Sequence, residues 1–504
     1  MACLRGDVPS WCAISITFAL AAACRGGDGG IGAACEDTGD CAPELQCVAA
    51  RCVERCVRAP DCGDGYACDD DGLCVRGDGQ AGDACAREVG CAPGLACLLD
   101  AEDLDADGVL AATCAPDGDG APAGAGCELD SDCRTGTCAL GRCVDLCAID
   151  RDCALGTACA RIPRVEVAGA PTFRGCLPAD GAVTWAIPRP GPAAELQVPV
   201  PDTARALQLT MSIDVPGQTV GATRVELPTG EVVYQTPLTE EQYYLNRVRH
   251  APAAPASVLA LPGSPDVPLP PGAYRVGVSS FVLVGQAGTA TPRVEATIKV
   301  GDGVALDLHF HFLDLGEHPC RSAFGGDTLD AEVAGAAPFQ GFVQALRTIF
   351  GLGGVALRTL TYTDLPGHPD LDAISEAELP ALLALGEDRD GVNVFFVRTM
   401  TPAGTQALVD GTPGVSVGGA APLGGVAVAV DTLCYRGWDR LARITAHAIA
   451  RHLGLFRNRE PTGQGDPIVD SDGDPDNLMF YSELGGTSLS LGQRAVLGES
   501  PVLR

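Results

Sequence analysis

The chain of 504 residues reads as a multidomain protein in three parts: disulfide-rich small repeats, then an antiparallel β-sandwich, then an α/β (α+β) domain. Three observations carry this. Twenty of the 25 cysteines fall between Cys35 and Cys176. Short runs alternating apolar and polar residues, punctuated by Pro and Gly, fill 179–302, and beyond 303 strand-like runs alternate with helical patterns. An apolar content of 46% is ample for several packed cores.

Residues 1–23 form a targeting segment. Arg5 supplies a positive start, Ala13 to Ala23 is an apolar-to-neutral run too short to span a bilayer, and Leu20-Ala21-Ala22-Ala23-Cys24 resembles a bacterial lipobox. Cleavage before Cys24 would leave a lipidated cysteine on a Gly-rich tether, 24–34. The expectation is an exported lipoprotein of the bacterial outer membrane or cell surface, held to the membrane by its lipid. An ordinary secretory signal, giving a periplasmic or extracellular protein, is the alternative.

The repeats occupy 35–178. Five quartets start at Cys35, Cys56, Cys85, Cys127 and Cys147, each opening C-x5-C. Cys35 to Cys74 and Cys127 to Cys176 are double units with three residues between quartets, a sign of internal duplication. Such units bury too little apolar surface to fold without cross-links, and an export signal implies an oxidising compartment. Each quartet should hold two disulfides. Three pairings are open per quartet and the spacing does not choose among them, although interleaved bonding is common in such knots. By resemblance the units are similar to the Dickkopf- or EGF-like spacers of bacterial surface proteins, which hold domains apart or bind partners.

Two acidic loops bear on calcium. Asp103, Asp105 and Asp107 copy the first half of an EF-hand loop, but Cys114 stands where its closing glutamate belongs. Asp470, Asp472 and Asp474 form a similar run. Each is an incomplete calcium site or a solvated acidic loop. Acidic residues outnumber basic ones 65 to 34, a net charge of −31 that excludes nucleic-acid binding through the bulk field. Lys299 is the sole lysine.

Within 179–302, runs such as Glu195 to Val200 and Tyr274 to Val278 predict the antiparallel β-sandwich, jelly-roll-like in its turn-strand segment Leu269 to Val276. No catalytic constellation occurs there. The last domain, 303–504, should place strands at Val304 to Phe312, Val355 to Tyr362, Val392 to Val397 and Val426 to Val430. Helices are expected near Phe339 to Phe350, Asp372 to Leu385 and Trp438 to Leu453, the second opened by a Ser375/Glu378 capping box. His309 and His311 share one strand face, where packing or solvent exposure is expected ahead of metal binding.

The last helix leads into His447-Ala-Ile-Ala-Arg-His-Leu-Gly-Leu-Phe-Arg-Asn-Arg-Glu460. With Gly454 fixing the register, this resembles the metzincin pattern H-E-x-x-H-x-x-G-x-x-H, and Asn477-Leu478-Met479-Phe480 lies where a Met-turn should come. The resemblance is to metzincins of the pappalysin-like kind, including myxobacterial-type secreted lipoproteins, over about 303–504. It places zinc-ligand positions at His447, Arg451 and Arg457, the general-base position at Ala448 and the Met-turn at Met479. Guanidinium groups offer no lone pair to zinc, and Ala448 has no carboxylate. His452 cannot substitute, since residues five apart differ by about 140° around a helix. Cys320 and Cys434 are the only cysteines after Cys176, so they should pair, closing a loop worth roughly 4 to 5 kcal/mol in the chain-entropy model.

The expectation is therefore a pseudoenzyme: a protein-binding or scaffold unit with no catalytic residue and no cofactor, whose partner is a polypeptide or surface component. Two alternatives stand beside it. One is an active zinc metallopeptidase with atypical ligands drawn from His447, His309, His311 or acidic residues near Asp466. The other is an adhesion or spacer protein acting through the repeats.

Overall fold

The computed structural model describes scattered segments from residue 34 to 104. From 108 it describes all residues except 189–190, 237–247, 249, 253–255, 284–285, 314–317, 319, 326–327, 387–390, 410–424 and 472. Cys24, Asp105, Asp107 and Asp472 lie outside the described residues, and Asp103 is described by its strand backbone alone.

In the repeats, every disulfide among the described residues joins first to third or second to fourth cysteine. The pairs are Cys41–Cys52, Cys56–Cys68, Cys85–Cys97, Cys91–Cys114, Cys127–Cys138, Cys133–Cys143, Cys147–Cys159 and Cys153–Cys176. The third and fourth cysteines face each other across a short antiparallel hairpin, as Cys97 faces Cys114 and Cys159 faces Cys176. Each reaches back to the loop carrying the first two, so the bonds must interleave. The last two quartets repeat one device in detail. Asp132 and Asp152 each accept two backbone N–H bonds from residues three and four earlier, while Asp130 and Asp150 accept from the third-cysteine strand at Cys138 and Cys159. The two N–H donors hold the Asp132 carboxyl below the usual carboxylate range.

The middle region is antiparallel throughout. Its strands are β1 (Gly181–Ile187), β2 (Ala193–Val200), β3 (Ala204–Ser212), β4 (Thr219–Glu226), β5 (Val232–Gln235), β6 (His250–Pro252), β7 (Ala256–Leu261), β8 (Gly272–Leu283), β9 (Gln286–Ala287) and β10 (Arg293–Val300). One sheet runs β1-β10-β3-β7-β6, the other β2-β8-β4-β5 with β9 on β8. Side chains of both sheets, among them Leu207, Met211, Ile298, Val198, Val220 and Val276, share one buried cluster with Leu110, Val144, Ile162 and Phe173 of the later repeats.

Beyond residue 303 the sheet is mainly parallel. It contains β11 (Ala305–Phe312), β12 (Ala356–Asp364), β14 (Val392–Val397), β16 (Ala407–Val409) and β17 (Gly425–Ala429), in the order β12-β11-β14-β17-β16. β16 alone is antiparallel and lies outside β17. The expected strand Val426 to Val430 is therefore interior, and the sheet edge belongs to a three-residue strand too short for its pattern to register. Helices α1 (Ala337–Leu352) and α3 (Trp438–His452) cover one face, where Phe310, Phe312, Phe339, Phe342 and Trp438 interlock with ring centroids 5.3 to 6.2 Å apart.

The long helix expected over 372–385 is instead a two-residue strand β13 (Ala373–Ile374), paired with β15 (Thr399–Met400), and then the short α2 (Leu379–Leu383). Pro380 explains this: without an N–H it fits the first turn of a helix and not its interior. Ser375 and Glu378 do bond each other, but ahead of the helix that begins at Leu379. His309 and His311 are buried, bonded to Thr361 and Asn393 at 2.8 Å each; neither faces solvent.

Lys299 joins the two regions. It is 1% exposed and its ammonium donates to the carbonyls of Gly303 and of Gly498, the latter at the C-terminal end of α4 (Leu491–Gly498), where the helix dipole favours a cation. Burial pulls its pKa down, opposed by Glu499, Asp180 and Asp302. As the chain's only lysine it gives a clean test. An amine-acylating reagent should leave Lys299 unmodified in the folded protein and modify it in denaturant, as read by peptide mass spectrometry. Labelling under native conditions would contradict the burial.

Candidate functional site

The site is built on α3. Its basic residues recur at helical spacing, Arg440, Arg443, His447 and Arg451, and so form one row along the helix. The row meets main-chain carbonyls of the segment 478–486. Arg440 donates to the carbonyls of Glu483 (2.7 Å) and Gly485 (3.1 Å). Arg443, 4% exposed, donates to those of Leu478 (2.7 Å), Phe480 (3.0 Å) and Gly486 (3.2 Å). His447 Nδ1 donates to the same Leu478 carbonyl at 2.9 Å. Two helix side chains one turn apart thus hold a single oxygen of the turn whose Met479 is fully buried.

Close approach explains Leu484-Gly485-Gly486. A Cβ on Gly485 would fall 2.3 Å from Arg443 Nη2, and one on Gly486 2.0 Å from the Asp476 carbonyl. Asn477 steadies the turn from within, its Oδ1 accepting from Met479 N at 2.8 Å and its Nδ2 donating to Gln493 of α4 at 2.7 Å.

The helix ends in a Schellman motif. Gly454 takes φ 111°, Leu455 N donates to the Ala450 carbonyl (3.0 Å) and Gly454 N to that of Arg451 (3.1 Å). The reversal sends buried Leu455 into the core and returns Arg457 toward the helix face. There Arg457 Nη1 donates to Glu460 at 3.0 Å, while its Nε is buried with no hydrogen-bond partner. Ala448, 1% exposed, is part of the core cluster.

Electrostatics follow from this packing. Enclosure pushes the His447 pKa down to about 3, with Arg443, Arg451 and Arg457 adding repulsion and the Leu478 carbonyl opposing it. The ring is therefore neutral, its proton on Nδ1 and its lone pair on Nε2. Burial, then Arg440, lowers the Arg443 guanidinium to about 10, which still leaves it charged at neutral pH. The residues at the base and two further ligand positions do not fit zinc. Among the described residues, no group of three His, Cys, Asp or Glu side chains gathers around His447.

The second acidic loop is occupied by its own turn. Asp470 accepts from Ser490 Oγ (2.9 Å) and Gly492 N (3.0 Å), capping α4; the Gly492 N–H holds its carboxyl low. Asp474 accepts from Asp476 N at 2.9 Å, and Asp466 from Ile468 N at 3.0 Å and from Ser471 Oγ. Asp470 and Asp474 belong to no ligand cluster among the described residues. A disulfide joins Cys320 to Cys434, 114 residues apart. The sequence did not disclose these helix-to-carbonyl bonds; the basic row 440-443-447-451 was the signal available for them.

No family model matches the chain, and no curated protein matches it. Among solved structures it is similar to infectious bursal disease virus Gt strain, with TM-score 0.13 and 16% identity over 24% of this chain and 30% of that one. It is also similar to IMPa from Pseudomonas aeruginosa in complex with an O-glycopeptide, with TM-score 0.11 and 8% identity over 56% of this chain and 31% of that one. The IMPa metallopeptidase in complex with T-antigen gives TM-score 0.10 and 12% identity over 54% and 31%. The matches span under a third of those chains, and likeness this slight carries no argument about this one.

The neutral His447 sets a pH dependence. Its folded pKa lies below the unfolded value near 6.5, so the unfolded chain binds more protons between the two values and stability falls as pH drops through that window. The slope should approach about 1.4 kcal/mol per pH unit for this one proton. Denaturant melts of His447→Gln should lack that component; an unchanged slope would refute it. Separately, Gly485→Ala should cost about 2 to 4 kcal/mol by displacing Arg443 from its carbonyls, measured by the same melts.

Proposed function

We propose that the chain is an exported, surface-anchored protein whose C-terminal region is a catalytically inactive metzincin-like domain, serving to bind a polypeptide or as scaffold. In this reading the two middle sheets pack as a jelly-roll-like β-sandwich, the repeats form a disulfide-braced arm, and Cys24 carries the lipid. The disulfides themselves fit an exported protein, and among the described residues no helix is long and apolar enough to cross a membrane.

One observation carries the reading. His447 is presented as a metal-binding histidine is, its Nδ1–H on a carbonyl and its lone pair on Nε2, yet its companions are Ala448, Arg451 and Arg457. Arg451 and Arg457 act on His447 as fixed positive charges, and Arg457 is paired with Glu460 at 3.0 Å. The alternative of an active peptidase with atypical ligands is disfavoured, because buried His309 and His311 and half-buried Asp466 are already engaged in hydrogen bonds. An adhesive role for the repeats remains the second reading; deleting 35–176 would then abolish partner binding and deleting 303–504 would not.

Purified full-length protein should carry no stoichiometric zinc by elemental analysis and should cleave no peptide. The double substitution Arg451→His with Arg457→His should bring zinc to about one per chain, since His447 is already oriented as the first ligand. Zinc in the unsubstituted protein together with chelator-sensitive proteolysis would overturn the proposal.

A further inference from the structure

The Cys320–Cys434 disulfide differs from those of the repeats in two respects. Cys434 is exposed, whereas every cysteine of the repeat disulfides with a described side chain is buried or half-buried. Beside it His318 is 2% exposed, and a ring nitrogen of His318 and both sulfurs lie within 4.8 Å of one another.

The surroundings fix the roles. Cys434 closes a 3-10 turn, Val430–Cys434, just before α3; Cys320 precedes another, Arg321–Phe324, whose Ala323 carbonyl accepts from Trp438 Nε1 at 2.9 Å. His318 Nδ1 accepts from Cys320 N at 3.1 Å, so the proton of the neutral ring sits on Nε2. Nε2 is buried, attracted by the Arg398 carbonyl without reaching hydrogen-bond geometry. Asp431 and Arg398 are the charged groups facing the ring, and Phe324 packs on it with centroids 5.8 Å apart.

We propose that Cys320–Cys434 is an exchange-active disulfide that takes an external dithiol, with His318 as the proton-transfer group at Cys320. One thiolate of the dithiol attacks Cys434 Sγ, the accessible sulfur; the S–S bond breaks and its electron pair leaves on Cys320, which takes a proton through the imidazole. The second thiol of the dithiol, as thiolate, attacks the external sulfur of the mixed disulfide and releases Cys434, which is protonated in turn. One dithiol is oxidised to its disulfide, one protein disulfide is reduced to two thiols, and the two protons of the dithiol end on Cys320 and Cys434. In reverse, the neutral imidazole accepts the thiol proton and the pair closes again. The consequence is local: the cross-link between the segment at 320 and the entry to α3 opens while the less exposed repeat disulfides stay closed. The inference is independent of how the His447 site is read.

The experiment treats oxidised full-length protein with limiting dithiothreitol under native conditions, quenches by alkylation and maps the labelled cysteines by mass spectrometry. Cys320 and Cys434 should be labelled about tenfold faster than the repeat cysteines. His318→Gln should slow that opening about fivefold and flatten its pH profile below about pH 6.5, because burial lowers the imidazole from its ordinary value. Repeat disulfides opening first, or equal rates and pH profiles for the two proteins, would overturn the proposal. If His318→Gln does not fold, the order of opening in the unsubstituted protein decides.

Discussion

A single buried guanidinium holds the C-terminal region in its present form. Arg443 spends its donors on the carbonyls of Leu478, Phe480 and Gly486, with no carboxylate among its hydrogen-bond acceptors. Desolvating such a charge is expensive, and removing either side would leave a buried group unsatisfied at a cost of several kcal/mol, so the helix and the turn are fixed to each other. The glycine at 485 is required by that contact, as is the orientation of His447, which shares the Leu478 oxygen, while Gly486 makes room for the Asp476 carbonyl. The neutrality of His447 results in turn, because a second cation cannot be desolvated beside the first.

This arrangement separates the shape of the site from its chemistry. Of the four positions named by the motif, only His447 has a lone pair for a metal; the helix ends in the Schellman reversal at Gly454, and Met479 is buried. Positive charge is built into the protein: Arg451 and Arg457 act on His447 through space, and Glu460 balances Arg457. Ala448 lies in the hydrophobic core.

Periodicity was the most legible feature of the sequence. The cysteine quartets announced cross-linked repeats, and apolar alternation announced the antiparallel sheets. Which cysteines pair was not legible, because that depends on the third and fourth facing each other across a hairpin, a property of register and not of spacing. The helix over 372–385 misled because its apolar pattern is genuine while Pro380 restricts helical structure to a short segment starting at Leu379. His447, Arg451, Arg457 and Met479 drew attention through a motif resemblance alone. Arg443 was not, since its acceptors are main-chain oxygens some forty residues away that have no signature in sequence.

A neutral, carbonyl-bound His447 with no metal at its free nitrogen is the property on which the inactive reading of the site rests. Nitrogen-resolved NMR of the His447 ring, followed from about pH 7 to 4 with equimolar zinc present, tests this most directly. The expected result is an Nδ1–H tautomer that does not titrate in that range and does not shift on adding zinc. A titration midpoint near 6.5, an Nε2–H tautomer or a zinc-induced shift would contradict it.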